Sequence, residues 1–266
     1  MSIVIPQFAT GPGFGASTIL DALEERVTGA ASFVVLPESA FSDRAEPLPS
    51  VTRDEVLERL TALARRRSTY VLTGSWIEES EAQGAHHVAR LIDPDGNERT
   101  AVERGLLPAG GAAPGDDFPV VETEYGTVGV LLGSDFWLVE PPRLQCLAGA
   151  ELLLVAGSLG GKFPDAQRAA VWGIATINTV AIAFASALST RSRGCSSVAT
   201  PERFLAEIGQ DEGVLESDWD LGEQIRFLRE PDLRFQQTLW FGLWARRPDL
   251  YEPLVHSSPP ETGQES

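Results

Sequence analysis

The chain has 266 residues, 43% of them hydrophobic and 22% charged, so it can bury a large core in an ordinary globular fold. Its 38 acidic against 21 basic side chains leave a formal net charge of -17, which argues against nucleic acid and anionic membranes as partners, because phosphates are held by clustered Lys and Arg. The cysteines, Cys146 and Cys195, and the histidines, His86, His87 and His256, have no disulfide-framework or metal-ligand spacing, and no cofactor or metal is expected.

Short apolar runs alternate with helical patterns. Ile3-Val4-Ile5 predicts a first strand, Ile19, Leu20, Leu23 and Val27 recur at helical spacing, and Phe33 to Leu36 predicts a second, buried strand closed by Pro37. Asp54 to Arg66 carries Val56, Leu57, Leu60 and Leu63 on one helical face, and Tyr70 to Gly74 predicts a strand ended by its glycine. Val88 to Ile92 and Arg99 to Glu103 flank a turn of Asp, Pro and Gly and read as a hairpin, as do Val120 to Thr123 and Val128 to Leu132. A helix around Pro141 to Ala150, a strand at Leu152 to Val155, a helix from Asp165 to Thr179 and a strand from Val180 to Ala185 follow.

This mixture of βα crossovers and hairpins predicts an α/β protein, a mixed sheet layered against helices in one domain over residues 1–255, with a polar tail over 256–266. The N-terminus has no basic, signal-like segment, and no apolar run reaches the ~18 residues of a membrane span; a cytoplasmic protein is expected. His86 and His87 should point to opposite faces of a strand, one half-buried and one solvated. Trp240, Phe241 and Trp244 are candidates for core packing or for a partner surface.

Two strand ends could carry chemistry. Glu38 follows Leu36-Pro37 at the end of a buried strand, and Gly133-Ser134-Asp135 makes a sharp strand-to-helix turn after Val128 to Leu132, the kind of turn that presents a nucleophile in several hydrolases. With Gln7 ending strand one, Asp93-Pro94-Asp95-Gly96 in the hairpin, Gly126 to Leu131 leading to Asp135, Glu140 and Arg143, Gly149 to Leu152, Asn178, Gly194 to Ser197 with Pro201-Glu202, and Arg246 to Tyr251, the chain resembles the nitrilase superfamily of carbon-nitrogen hydrolases. The resemblance runs almost the whole length. It implies a four-layer αββα sandwich that forms a homodimer, with the helix at Pro141 to Ala150 and the segment Trp244 to Tyr251 at the interface.

In that family a glutamate acts as general base, a cysteine attacks the amide or nitrile carbon, and a lysine stabilises the tetrahedral intermediate. Carried over residue by residue, the glutamate falls on Glu38, the lysine on Arg104 and the cysteine on Gly133; a further acid that many members carry falls near Gly111, where none exists. Cys146 lies within the helix after this turn and Cys195 in a hairpin far along the chain, and the one lysine, Lys162, comes after the next strand, so none of them falls on these positions. The expectation is a catalytically inactive relative that binds a small amide-like ligand or a partner, with Arg104 paired to Glu38. The alternative is an active amide hydrolase using Ser134 as nucleophile and Glu38 as base. At 133, glycine also suits a turn that demands unusual backbone angles.

Overall fold

The computed structural model describes residues 1–10, 15–38, 40–41, 48–80, 84–103, 113–157, 163–189, 192–220, 222 and 246–252. The expectations attached to Arg104, Lys162, Trp240, Phe241, Trp244 and the tail 256–266 lie outside these residues.

The apolar runs become β1 (Ser2–Gln7), α1 (Ala16–Arg26), β2 (Phe33–Val35), α2 (Ser50–Arg67), β3 (Tyr70–Ser80), β4 (Gly84–Ile92), β5 (Glu98–Glu103), β6 (Val120–Thr123), β7 (Gly126–Leu132), α3 (Glu140–Leu147), β8 (Leu152–Ala156), α4 (Pro164–Asn178), β9 (Ala181–Ala185), β10 (Ser197–Ala199), β11 (Phe204–Glu207) and β12 (Gly213–Asp218). They form two six-stranded sheets, ordered β12-β1-β2-β3-β4-β5 and β11-β10-β9-β8-β7-β6. In each sheet the three parallel strands, β1-β2-β3 or β7-β8-β9, are flanked by antiparallel neighbours. Central parallel strands are covered on both faces, which explains why Leu152–Ala156 and Ala181–Ala185 are apolar without alternation and buried throughout.

Three apolar clusters make the four layers. Ile3, Phe33, Leu72, Leu91, Val130, Leu154 and Ala183 belong to one cluster shared by the facing sheets. Leu20, Leu23, Val56, Leu60 and Leu63 press α1 and α2 onto the outer face of the first sheet. Cys146, Val171 and Ala175 press α3 and α4 onto the second, against Leu131, Leu153 and Ile182. The molecule is therefore the expected αββα sandwich. Each fully buried Leu or Val contributes on the order of 1.5–3 kcal/mol, and the helices dock because their apolar positions recur every three to four residues.

One element differs from the sequence reading in a way that matters for the site. β3 does not end at Gly74 but runs through it to Ser80. The pairing with β4 passes from Leu72↔Leu91 to Ser75↔Ala89, three residues against two, so Gly74 sits in a bulge. Its φ is 74°, and a Cβ there would lie 2.5 Å from the backbone carbonyl of Pro37; only glycine lets β3 pass so close to the chain leaving β2. Thr73 Oγ1 accepts the Arg90 backbone N–H at 3.0 Å, replacing a ladder bond lost at the bulge.

Candidate functional site

Glu38 lies just past β2, where Leu36 N–H donates to the Leu72 carbonyl at 3.0 Å and Glu38 N–H donates to the Gly157 carbonyl at 3.3 Å. The first contact continues the pairing with β3. The second reaches the end of β8 in the opposite sheet, so Glu38 is held where the two sheets meet. Its side chain is wholly removed from water.

Gly133 opens the 3-10 turn Gly133–Trp137 immediately after β7. Its φ of 48° is in the left-handed region that side chains rarely adopt. A Cβ built on it would fall 2.6 Å from Glu38 Oε2, 2.8 Å from Oε1 and 2.9 Å from Cδ. The two positions anticipated from the sequence therefore meet, and the Glu38 carboxyl lies in the volume a side chain at 133 would enter. Ser134 follows in the same turn, half-buried, and Asp135 is buried.

The bulge at Gly74 brings two more residues here. It shifts the alternation of β3, so that Ser75 shares a face with Ala89, its cross-strand partner, and with His87, the diagonal neighbour two residues along β4. Ser75 Oγ and His87 Nε2 are hydrogen-bonded at 2.9 Å, and His87 Nδ1 lies 3.7 Å from Glu38 Oε1. Ser75 also forms a bridge with Glu38 along the backbone. The relative exposures of Ser75, His87 and Glu38 are 0%, 3% and 1%, so this hydroxyl, imidazole and carboxyl meet out of water. The two histidines do differ in burial, but neither is solvated: His86 is half-buried, and His87 is fully buried and belongs to the site. The adjacent serine and histidine gave no signal by type or spacing; the signal is the hairpin register, which turns on the bulge.

The cysteines lie elsewhere in the fold. Cys146 is inside α3 and packs in the helix-to-sheet cluster. Cys195, with φ of 62°, precedes β10; burial, followed by the charges of Glu207 and Asp165, pushes its thiol above the ordinary range, the opposite of what a nucleophilic thiol needs. Residue 133 has no side chain to form a thioester. The described site thus offers a carboxyl that can accept or carry a proton and an imidazole behind it. Among the described residues no group of three or more His, Cys, Asp or Glu could hold a metal ion, and no helix is long and apolar enough to cross a membrane.

Residues 6–229 match the family model of the carbon-nitrogen hydrolases. Among curated proteins, the N-carbamoylputrescine amidase of Solanum lycopersicum is 26% identical over 252 residues, covering 84% of this chain and 79% of its own. The omega-amidase of Homo sapiens is 26% identical over 260 residues, covering 86% and 88%. Among solved structures, the carbon-nitrogen hydrolase of Helicobacter pylori superposes with a TM-score of 0.79 at 20% identity, covering 97% of this chain and 98% of that one. An amidase of Nesterenkonia sp., with the acetamide moiety of fluoroacetamide added covalently at its active-site cysteine, superposes with a TM-score of 0.78 at 20% identity, covering 94% and 95%. With the two facing sheets, their outer helices and a match over most of the sequence, the chain belongs to the carbon-nitrogen hydrolase family, in the nitrilase superfamily.

Proposed function

We propose that this chain is a carbon-nitrogen hydrolase relative that has lost the covalent thiol route and acts by binding a small amide-like ligand or by assembling with a partner. The observation that carries the reading is the Glu38 carboxyl in the volume a side chain at 133 would need, at the glycine to which the resemblance assigns the family's nucleophile. A thioester requires a thiolate within reach of the substrate carbon, and residue 133 cannot supply one.

The same reading takes the protein to be cytoplasmic, in keeping with two cysteines outside any disulfide, and a homodimer. Support for the dimer comes from Trp137, Val139, Leu144, Leu147, Trp172 and Ile177, large apolar side chains exposed along the turn after β7, α3 and α4.

The test is an assay with N-carbamoyl compounds, ω-amides and nitriles. No release of ammonia above the protein-free rate is expected. The second reading, an active amidase with Ser134 as nucleophile and Glu38 as base, is favoured by the amidases among the relatives and by the place of Ser134 in the turn. Turnover that vanishes in both Ser134→Ala and Glu38→Gln would establish it and overturn the first.

A further inference from the structure

We propose that Ser75, His87 and Glu38 form a buried relay in which His87, anchored by Ser75, is the positioning residue that holds the Glu38 carboxyl over residue 133. On this view the glycine at 133 is a requirement of the relay as well as the absence of a thiol. The inference rests on the reading that the thiol route is lost, and it adds what has taken the place of the thiol.

Three observations converge on it. The first is the bulge at Gly74, which turns Ser75 onto the face that carries His87; without the extra residue the hydroxyl would point the other way. The second is the 2.9 Å bond between Ser75 Oγ and His87 Nε2, which fixes the ring so that Nδ1 looks toward Glu38 Oε1 at 3.7 Å. A carboxylate facing Nδ1 favours a proton on that nitrogen, so in the neutral ring Nε2 accepts from the Ser75 hydroxyl. The third is the crowding at 133, where three atoms of the carboxyl stand within 2.9 Å of the ideal Cβ position.

None of the three side chains has water to replace a lost contact, because none of the three residues exceeds 3% exposure. Shifting the carboxyl to admit a side chain at 133 therefore disturbs its relation to His87, and through the ring the bond to Ser75. The Ser75–His87 hydrogen bond and the close approach of the ring to the carboxyl couple the three groups out of water. Glycine at 133 also accommodates the positive φ, but that strain alone would not depend on what residue 87 is. The dependence on residue 87 separates a relay from a merely tight turn.

Two measurements test the relay in the full chain. Long-range ¹H–¹⁵N correlation spectra should show His87 with a protonated Nδ1, and Glu38→Gln and Ser75→Ala should each shift its ring nitrogens. His87 signals indifferent to both substitutions would overturn the proposal, and this reading needs no change at 133. In thermal melts, Gly133→Ala should lower the midpoint, and the drop should shrink to about half or less when the same change is made in a Glu38→Ala or His87→Ala background, since residues in one network are not additive. An equal drop in all three backgrounds would mean that only backbone strain resists a side chain at 133, and the relay would fall. Amide turnover by the wild-type chain would overturn the reading of lost activity instead, and would leave the histidine spectra and the melts to judge the relay.

Discussion

Gln7 ends β1 with a side chain fully removed from water, and its amide is saturated. Nε2 donates to the Gly209 carbonyl at 2.7 Å and the Asp211 carbonyl at 2.8 Å, while Oε1 accepts the Ser196 backbone N–H at 2.9 Å and the Ser196 hydroxyl at 2.8 Å. One side chain thus ties β1 to the loop between β11 and β12 and to the approach to β10. In Gln7→Leu the Ser196 N–H loses this partner in a buried place, at a cost of about 2–3 kcal/mol. Urea denaturation should read that loss, and the Ser196 amide should exchange faster in the native state. A variant within ~0.5 kcal/mol of wild type would mean that the amide is not what fastens these segments. The same arithmetic governs the relay: a buried polar group is stabilising through its partners, and removing one partner harms the others.

The phenol of Tyr70 ties the start of β3 to the opposite sheet. Tyr70 OH donates to Glu124 Oε2 at 2.6 Å, in the turn between β6 and β7, and its ring stacks on Phe33 at 5.1 Å between centroids. Burial, reinforced by the bond to Glu124, pushes the phenol pKa above its ordinary value near 10. The folded state then holds this proton more tightly than the unfolded chain, so the stabilisation is complete below about pH 10 and is lost as pH rises beyond it. Tyr70→Phe should be less stable at neutral pH by about 1 kcal/mol, and the gap to wild type should narrow in denaturant melts above about pH 10; a constant gap would contradict the account. Elements of this kind show what was legible beforehand. β2 and β7 could be placed because their apolar runs end at Pro37 and at Gly133, and Glu38 and Gly133 followed from those ends. Ser75 and His87 could not, because a glycine after an apolar run reads as a stop. Here it lies in a bulge, close against the carbonyl of Pro37, which is distant in sequence, and one inserted residue reverses which side chains face inward.

At the scale of the molecule, α3 and α4 cover the second sheet and leave an apolar face outward. Arg143 Nη2 joins the two helices by donating to the Ile177 carbonyl at 3.0 Å, and Leu144, Leu147 and Trp172 are between 42% and 51% exposed. A patch of this kind on a chain of net charge -17 suits a second copy, because closing two such faces removes apolar surface while the acidic remainder stays in water. Light scattering should give twice the 28.7 kDa chain mass, and Leu144→Glu combined with Trp172→Glu should return it to one; a monomeric wild type at micromolar concentration would refute the dimer. The topology also sets an order of assembly. β1 pairs on one side with β2, from Ile3↔Phe33, and on the other with β12, from Ser2↔Asp218 to Gln7↔Gly213. While the chain is being synthesised, β1 to β5 can gather as soon as they emerge, but the outer edge of β1 must wait for a strand some two hundred residues later. Such distant closure slows folding and leaves an unpaired edge able to capture another nascent chain. Overproduction should therefore strain the protein at its N-terminal strand, and a chaperone that shields that edge would do more for its yield than one that acts on the finished fold.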